Sequence, residues 1–197
     1  MHPNRKFHVA DREAMAAFVR EQGFGLLVAP TPQGLRAVHV PVLLDGERLL
    51  FHVSKGNLIH DALFAGADAL FVATGAHGYI SPDWYGLDDK VPTWNYQAVE
   101  LDGRVHPLDR GGLVALLDSL SDEHEARLAP KPVWRRDKMS EGRFEGLCRA
   151  ITGFALHIAE WRGTAKFDQD KAPEVRSRVA DELGRIGEGA LARAMRP

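Results

Sequence analysis

Cysteine is almost missing from this chain. Cys148 is the only one among 197 residues. A single thiol excludes an intrachain disulfide and any zinc site built on cysteine pairs. An inert, partly buried thiol is the expected role. Charge of one sign is also lacking. There are 25 Lys and Arg against 27 Asp and Glu, so the net charge is −2 and the pI about 6.5. Nothing here supplies the basic excess of a large nucleic-acid footprint. No apolar run reaches the roughly 18 residues needed to span a bilayer. The N-terminal Met1-His2-Pro3-Asn4-Arg5-Lys6-Phe7 lacks the apolar stretch of a signal peptide. The expectation is a cytoplasmic protein with no membrane partner. Nine histidines occur without an HExxH motif or a clean i, i+4 His pair, and no metal site is expected. Neither a G-x-S-x-G elbow nor a Walker loop is present. The glycines from Gly184 to Gly189 have no strand before them and read as a helix break.

What remains is an ordinary globular composition, 45% hydrophobic and 26% charged, at the size of one domain. Asp11 caps a first helix that Gly23 ends, with Met15, Phe18 and Val19 on one face. Extended runs at 24–29, 35–44 and 48–53 are separated by the turn Thr31-Pro32-Gln33-Gly34 and by Asp45-Gly46. Two hairpins in succession imply an antiparallel meander. A short helix over 58–65 follows, then extended pieces at 68–73 and 77–80. The composition predicts a loop over 81–92. A hairpin is expected around Asp102-Gly103, joining 94–101 to 104–106. Leu113, Leu116, Leu117 and Leu120 mark a helix over 111–126, and 131–138 is a charged connection broken by proline. A strand spans 151–161, with Phe154, Leu156 and Ile158 alternating. A helical tail covers 173–195, its stripe formed by Val175, Val179, Leu183 and Ile186. Six or seven antiparallel strands with few helices suggest a small barrel decorated by helices. The domain boundaries expected are 1–170 for the barrel and 171–197 for the tail packed on it.

Aromatic residues are only 8% of the chain, yet they cluster. Tyr79-Ile80-Ser81-Pro82-Asp83-Trp84-Tyr85 and Val91-Pro92-Thr93-Trp94-Asn95-Tyr96 hold two of the four tryptophans and all three tyrosines. Flat side chains with polar handles form either the wall of a pocket for a planar ligand or an aromatic corner of a core or dimer seam. Ser54-Lys55-Gly56-Asn57 places a hydroxyl, a cation and an amide where a strand gives way to a helix. That arrangement suits a phosphate, or else is a turn capped by Asn57. His39 sits mid-strand, and His52, His60 and His157 are likewise read as satisfied structural histidines. The tail could be cut into a helix-turn-helix, but it lacks a third helix and base-reading side chains, which argues against direct DNA binding. Arg135-Arg136-Asp137-Lys138 reads as a solvated charge run.

Taken in order, these segments resemble the PaiB-type FMN-binding negative transcriptional regulators. The resemblance is carried by Met1-His2-Pro3-Asn4 with Phe7, His39-Val40-Pro41, and His52 through Asn57. It continues through both aromatic segments, Ile151-Thr152-Gly153-Phe154 and Lys166-Phe167-Asp168-Gln169. It implies a mainly β fold with flanking helices, a split β-barrel of the pyridoxamine-phosphate-oxidase type. It also implies a homodimer with FMN between the subunits. Carried over by position, Ser54, Lys55 and Asn57 would belong to the phosphate end. His39 and Val40 would run beside the ring, and Trp94, Asn95 and Tyr96 would line the same cleft. Lys166 and Gln169 would face it. Two departures stand out. Lys55-Gly56-Asn57 replaces the common Arg-Ala-Asn, and Asp170 follows Gln169 where Asn is usual. The resemblance implies a regulator sensing flavin or redox state. A flavin-dependent oxidoreductase is the alternative from another class, with haem binding behind it. No catalytic residue is assigned; His39 and Tyr85 are the only acid–base groups in reach of the argument.

Overall fold

A computed structural model describes residues 2–197. The chain packs into two units. One contains residues 2–15, 74–99 and 162–197; the other contains 16–73 and 100–161.

In chain order the elements are β1 (His8–Val9), α1 (Arg12–Gln22), β2 (Phe24–Thr31), β3 (Gly34–Pro41), β4 (Leu43–Asp45) and β5 (Arg48–Ser54). Then come α2 (His60–Phe64), β6 (Asp68–Ile80), β7 (Thr93–Pro107), α3 (Arg110–Ala126) and α4 (Arg143–Cys148). The chain ends with β8 (Ile151–Lys166), α5 (Pro173–Arg185) and α6 (Gly189–Met195). The strands form one eight-stranded sheet in the order β3-β2-β6-β7-β8-β5-β4, with β1 paired to β8. Among the described residues no helix is long and apolar enough to cross a membrane.

Local chemistry explains the first half. Asp11 Oδ1 accepts from the N–H groups of Glu13 at 2.9 Å and Ala14 at 3.2 Å, which starts α1. Gly23 ends it at φ +59°, a conformation that costs glycine little. β2 and β3 pair from Phe24↔Pro41 to Thr31↔Gly34, and Thr31 Oγ1 donates to Gly34 O at 2.7 Å to close the turn. In β5, Leu49, Phe51 and Val53 point into the core, where they meet the Phe154 and Leu156 face of β8.

The second half departs from the sequence expectation in four places. β7 runs straight through Asp102-Gly103, where a hairpin was expected. There the glycine serves close approach to β8, because a Cβ on Gly103 would stand 2.0 Å from His157 O. The pieces at 68–73 and 77–80 form a single strand, β6, whose Gly78 makes room for Leu191 of α6. α4, six residues long, carries no strong periodic pattern and was not expected. The tail is two helices, divided within the glycine-containing stretch 184–189 that reads as a helix break, and its departure lies in the stripe. Val175, Val179 and Leu183 bury against Ile80 and Tyr85, but Ile186 follows the end of α5 and is exposed.

Candidate functional site

The strand-to-helix turn after β5 is built by its own side chains. Asn57 N–H donates to Ser54 O at 3.0 Å, and Asn57 Oδ1 accepts from Ile59 N–H at 3.1 Å. Asn57 therefore does cap the turn. Ser54 and Lys55 remain exposed. The Lys55 ammonium has no ion-pair or hydrogen-bond partner among the described residues. A hydroxyl and an uncommitted cation on a fixed turn fit the donor demand of a phosphate monoester. In the same unit, His39 is exposed on β3 and stacks on Phe24, with ring centroids 6.0 Å apart. Val40 is only 1% exposed, so its side chain belongs to the core and only its backbone could meet a ligand.

The other unit divides the aromatic cluster. Tyr85 is only 2% exposed, buried among Ile80, Val179 and Leu183, and Trp84 packs at the same place. That half is a core corner. Trp94 and Tyr79 are about half exposed, and Trp94 stacks on His77 with centroids 6.1 Å apart. That half is an open aromatic face, with Tyr96 half-buried on the same side of β7 as Trp94. Asn95 lies between them and points the other way, because side chains alternate along a strand. It is completely buried, and Nδ2 donates to Asp168 Oδ2 at 3.0 Å. Asn95 therefore does not share a wall with Trp94 and Tyr96.

Asp168 organises this buried cluster, and the sequence analysis assigned it no role. It is 3% exposed and adopts φ +55°, a left-handed conformation that Asp tolerates better than most residues. Its carboxylate accepts from Tyr85 Oη at 3.0 Å and from Asn95, and pairs with Lys171 Nζ at 3.1 Å. Burial, and then the nearby Asp168 charge, push the Tyr85 phenol far above its ordinary range. Tyr85 is thus a neutral structural donor, not a poised acid or base. Lys166 Nζ donates to Thr93 Oγ1, to Trp94 O at 2.7 Å and to Asn95 Oδ1 at 3.3 Å. Its three N–H groups thereby hold the start of β7. Desolvation lowers its pKa, partly countered by Asp168. Gln169 stitches its own loop, donating to Ala165 O at 2.7 Å and accepting from Phe167 N–H at 2.9 Å. Asp170 pairs with Lys6 at 2.7 Å, and that hydrogen bond holds its carboxyl below the usual range.

The remaining histidines are mostly engaged in packing. His60 contacts Thr152 Oγ1 and Asp61 Oδ1, each at 2.9 Å. His157 meets His106 edge to face. His52 is partly buried, and desolvation lowers its pKa. Among the described residues no three metal-ligating side chains come together.

A family model described as "Putative FMN-binding domain" matches residues 1–160. A curated relative, "Protease synthase and sporulation protein PAI 2" of Bacillus subtilis (strain 168), is 30% identical over 188 residues, covering 93% of this chain and 89% of that protein. Two solved structures resemble it at low identity. The FAD and heme binding protein from Mycobacterium smegmatis gives a TM-score of 0.58 at 20% identity, covering 85% of this chain and 78% of that one. The flavocytochrome Anf3 from Azotobacter vinelandii gives 0.58 at 17%, covering 84% and 72%. The architecture is a split β-barrel with flanking helices.

Proposed function

Because the chain belongs to the PaiB-type FMN-binding family, we propose that it is an FMN-loaded homodimer that reports flavin or redox state to transcription. FMN is the cofactor of the family's domain, and any redox chemistry belongs to the flavin when bound. The observation that carries the reading is the turn 54–57, where the Lys55 ammonium stands exposed without a counter-ion. The exposed faces of Trp94 and Tyr79 offer flat surfaces for a ring. The regulatory part is supported by a relative named for protease synthesis and sporulation. It is supported further by the fate of Tyr85, whose buried contact with Asp168 removes the best acid–base candidate for turnover.

Purified protein should show a flavin absorption band, or acquire one on adding FMN. Lys55→Ala should weaken FMN binding by about ten- to a hundredfold, the worth of one charge-assisted contact. Riboflavin lacks the phosphate, so its binding should change little. Equal losses for the two ligands would place the phosphate elsewhere. Sustained NAD(P)H consumption by the loaded protein would favour an oxidoreductase over a sensor.

A dimer is supported by an open apolar sheet face. Phe24 is 52% and Leu35 70% exposed. Val28, Pro30, Leu35 and Leu70 line a groove of about 610 Å³. Apolar surface of this kind usually marks an interface. Sedimentation should give a dimer at micromolar concentration, and Leu35→Glu should shift it toward monomer. A wild-type monomer that FMN leaves unchanged would remove the dimer from this reading.

A further inference from the structure

α3 carries an acidic stripe. Asp118, Asp122 and Glu125 recur at helical spacing, and each takes a cation from the connection that follows the helix. The Lys131 ammonium and Trp134 N–H both reach Glu125, the latter at 2.8 Å. Arg135 pairs with Asp122 at 3.3 Å and Arg136 with Asp118 at 3.2 Å. The connection therefore doubles back along α3, about one turn for each cation. Arg135 and Arg136, expected as part of a solvated charge run, are clasped to the helix instead.

This clasp has little burial behind it. At one end Arg127 anchors the chain, donating to Glu21 O at 2.9 Å and to Arg20 O at 2.7 Å. At the other end Cys148 is 3% exposed. Between these anchors none of the residues 128–147 is buried, and Leu128, Trp134 and Leu147 stand exposed. A segment with few buried apolar contacts lies at the low end of local stability and opens without the rest of the fold. Its surface ion pairs are individually weak, and salt screens them. Arg136 also lies 4.8 Å above the Phe144 ring, which carries the clasp on to α4. Glu145 and Cys148 of α4 line a cleft of about 760 Å³ together with Lys55, Phe64 and Thr152.

We propose that residues 128–147 form a flap whose α4 end walls this cleft, latched by the ion pairs to α3 and released by ionic strength without global unfolding. The flap is independent of which ligand the cleft takes. Cys148 is the sole thiol, so its alkylation by iodoacetamide, an uncharged reagent, reads the opening. Rates are measured on the full chain, relative to glutathione, at about 0.01 M and about 1 M NaCl, where the screening length falls from about 30 Å to about 3 Å. Wild type is expected to react about three- to a hundredfold faster at the higher salt, the worth of three surface pairs. The double variant Asp118→Asn/Asp122→Asn is expected to react about two- to thirtyfold faster than wild type at low salt, and to gain less from added salt. Asp181→Asn breaks a surface pair with Arg196 on the tail and should match wild type. Urea separates local from global opening, because a flap that opens alone gives a much smaller slope than the unfolding m-value. Thermal melts confirm that the variants fold, and the salt comparison on wild type needs no variant. Labelling that ignores either salt or the Asp118→Asn/Asp122→Asn change in folded protein, or that carries the full unfolding slope, overturns the proposal.

Discussion

Asp168→Ala is expected to cost about 3–5 kcal/mol of stability, the range for breaking a buried, hydrogen-bonded charge pair. The reason is the number of groups it leaves behind. Tyr85 Oη and Asn95 Nδ2 both donate to the same carboxylate oxygen, and Tyr85 and Asn95 are almost wholly buried. Each donor without an acceptor costs about 1–3 kcal/mol. Lys171 loses its partner as well, and alanine must still occupy φ +55°. For a chain of this size the melting temperature should fall by roughly 6–20 °C. Asp168→Asn keeps the shape, the tolerance of that backbone and one acceptor oxygen, so its loss should be much smaller. A second readout is the phenol titration followed in the ultraviolet. A free tyrosine ionises near pH 10. Tyr85 should stay neutral above that, because its folded pKa is raised. Its contribution to stability is therefore complete below about pH 10 and is lost as pH rises beyond it. A stable Asp168→Ala, or a Tyr85 phenol that ionises as a free tyrosine does, would show that the cluster is not closed as described.

The contrast between this cluster and the turn 54–57 shows what could be read from sequence. The turn was legible because its chemistry is local. A hydroxyl, a cation, a glycine and a capping amide stand in four consecutive positions, and the bonds that shape the turn span two or three residues. Asp168 was not legible, since the buried donors it gathers, Asn95 and Tyr85, lie 73 and 83 positions away and its conformation has no glycine to announce it. The hairpin of β2 and β3 was legible for the same reason as the turn: its composition punctuates it at Thr31 to Gly34. The aromatic cluster fell between these cases. Composition indicated that Tyr85 and Trp94 mattered, but only the fold sends one into the core and the other to the surface. Alternation along β7 did place Asn95 opposite Trp94, and reading the three residues 94–96 as one wall overlooked that period of two.

Gly103→Ala is the sharpest test of the part of the fold that local chemistry misread. Asp-Gly pairs favour turns, so residues 102–103 looked like the bend of a hairpin. If they were, alanine would suffer only a left-handed conformation, at a cost of about 1–2 kcal/mol. Within the continuous strand β7 the obstacle is different. The new Cβ would stand 2.0 Å from His157 O, 2.8 Å from His157 C and 3.2 Å from Ile158 Cα. All three are backbone atoms of β8, which cannot rotate away as a side chain can. Either strand must shift, and the paired ladder between β5 and β8 resists that shift. The expected loss is about 3 kcal/mol or more, beyond the usual range for overpacking because main chain meets side chain. Gly184→Ala makes the matching control. It lies in α5 with nothing within 4 Å of the added methyl group, and should stabilise by about 0.5–1 kcal/mol through helix propensity. Denaturant unfolding of the two variants beside wild type compares them directly. A Gly103→Ala protein that loses only about 1 kcal/mol would mean that β7 and β8 do not approach this closely, and that the turn reading was the better one.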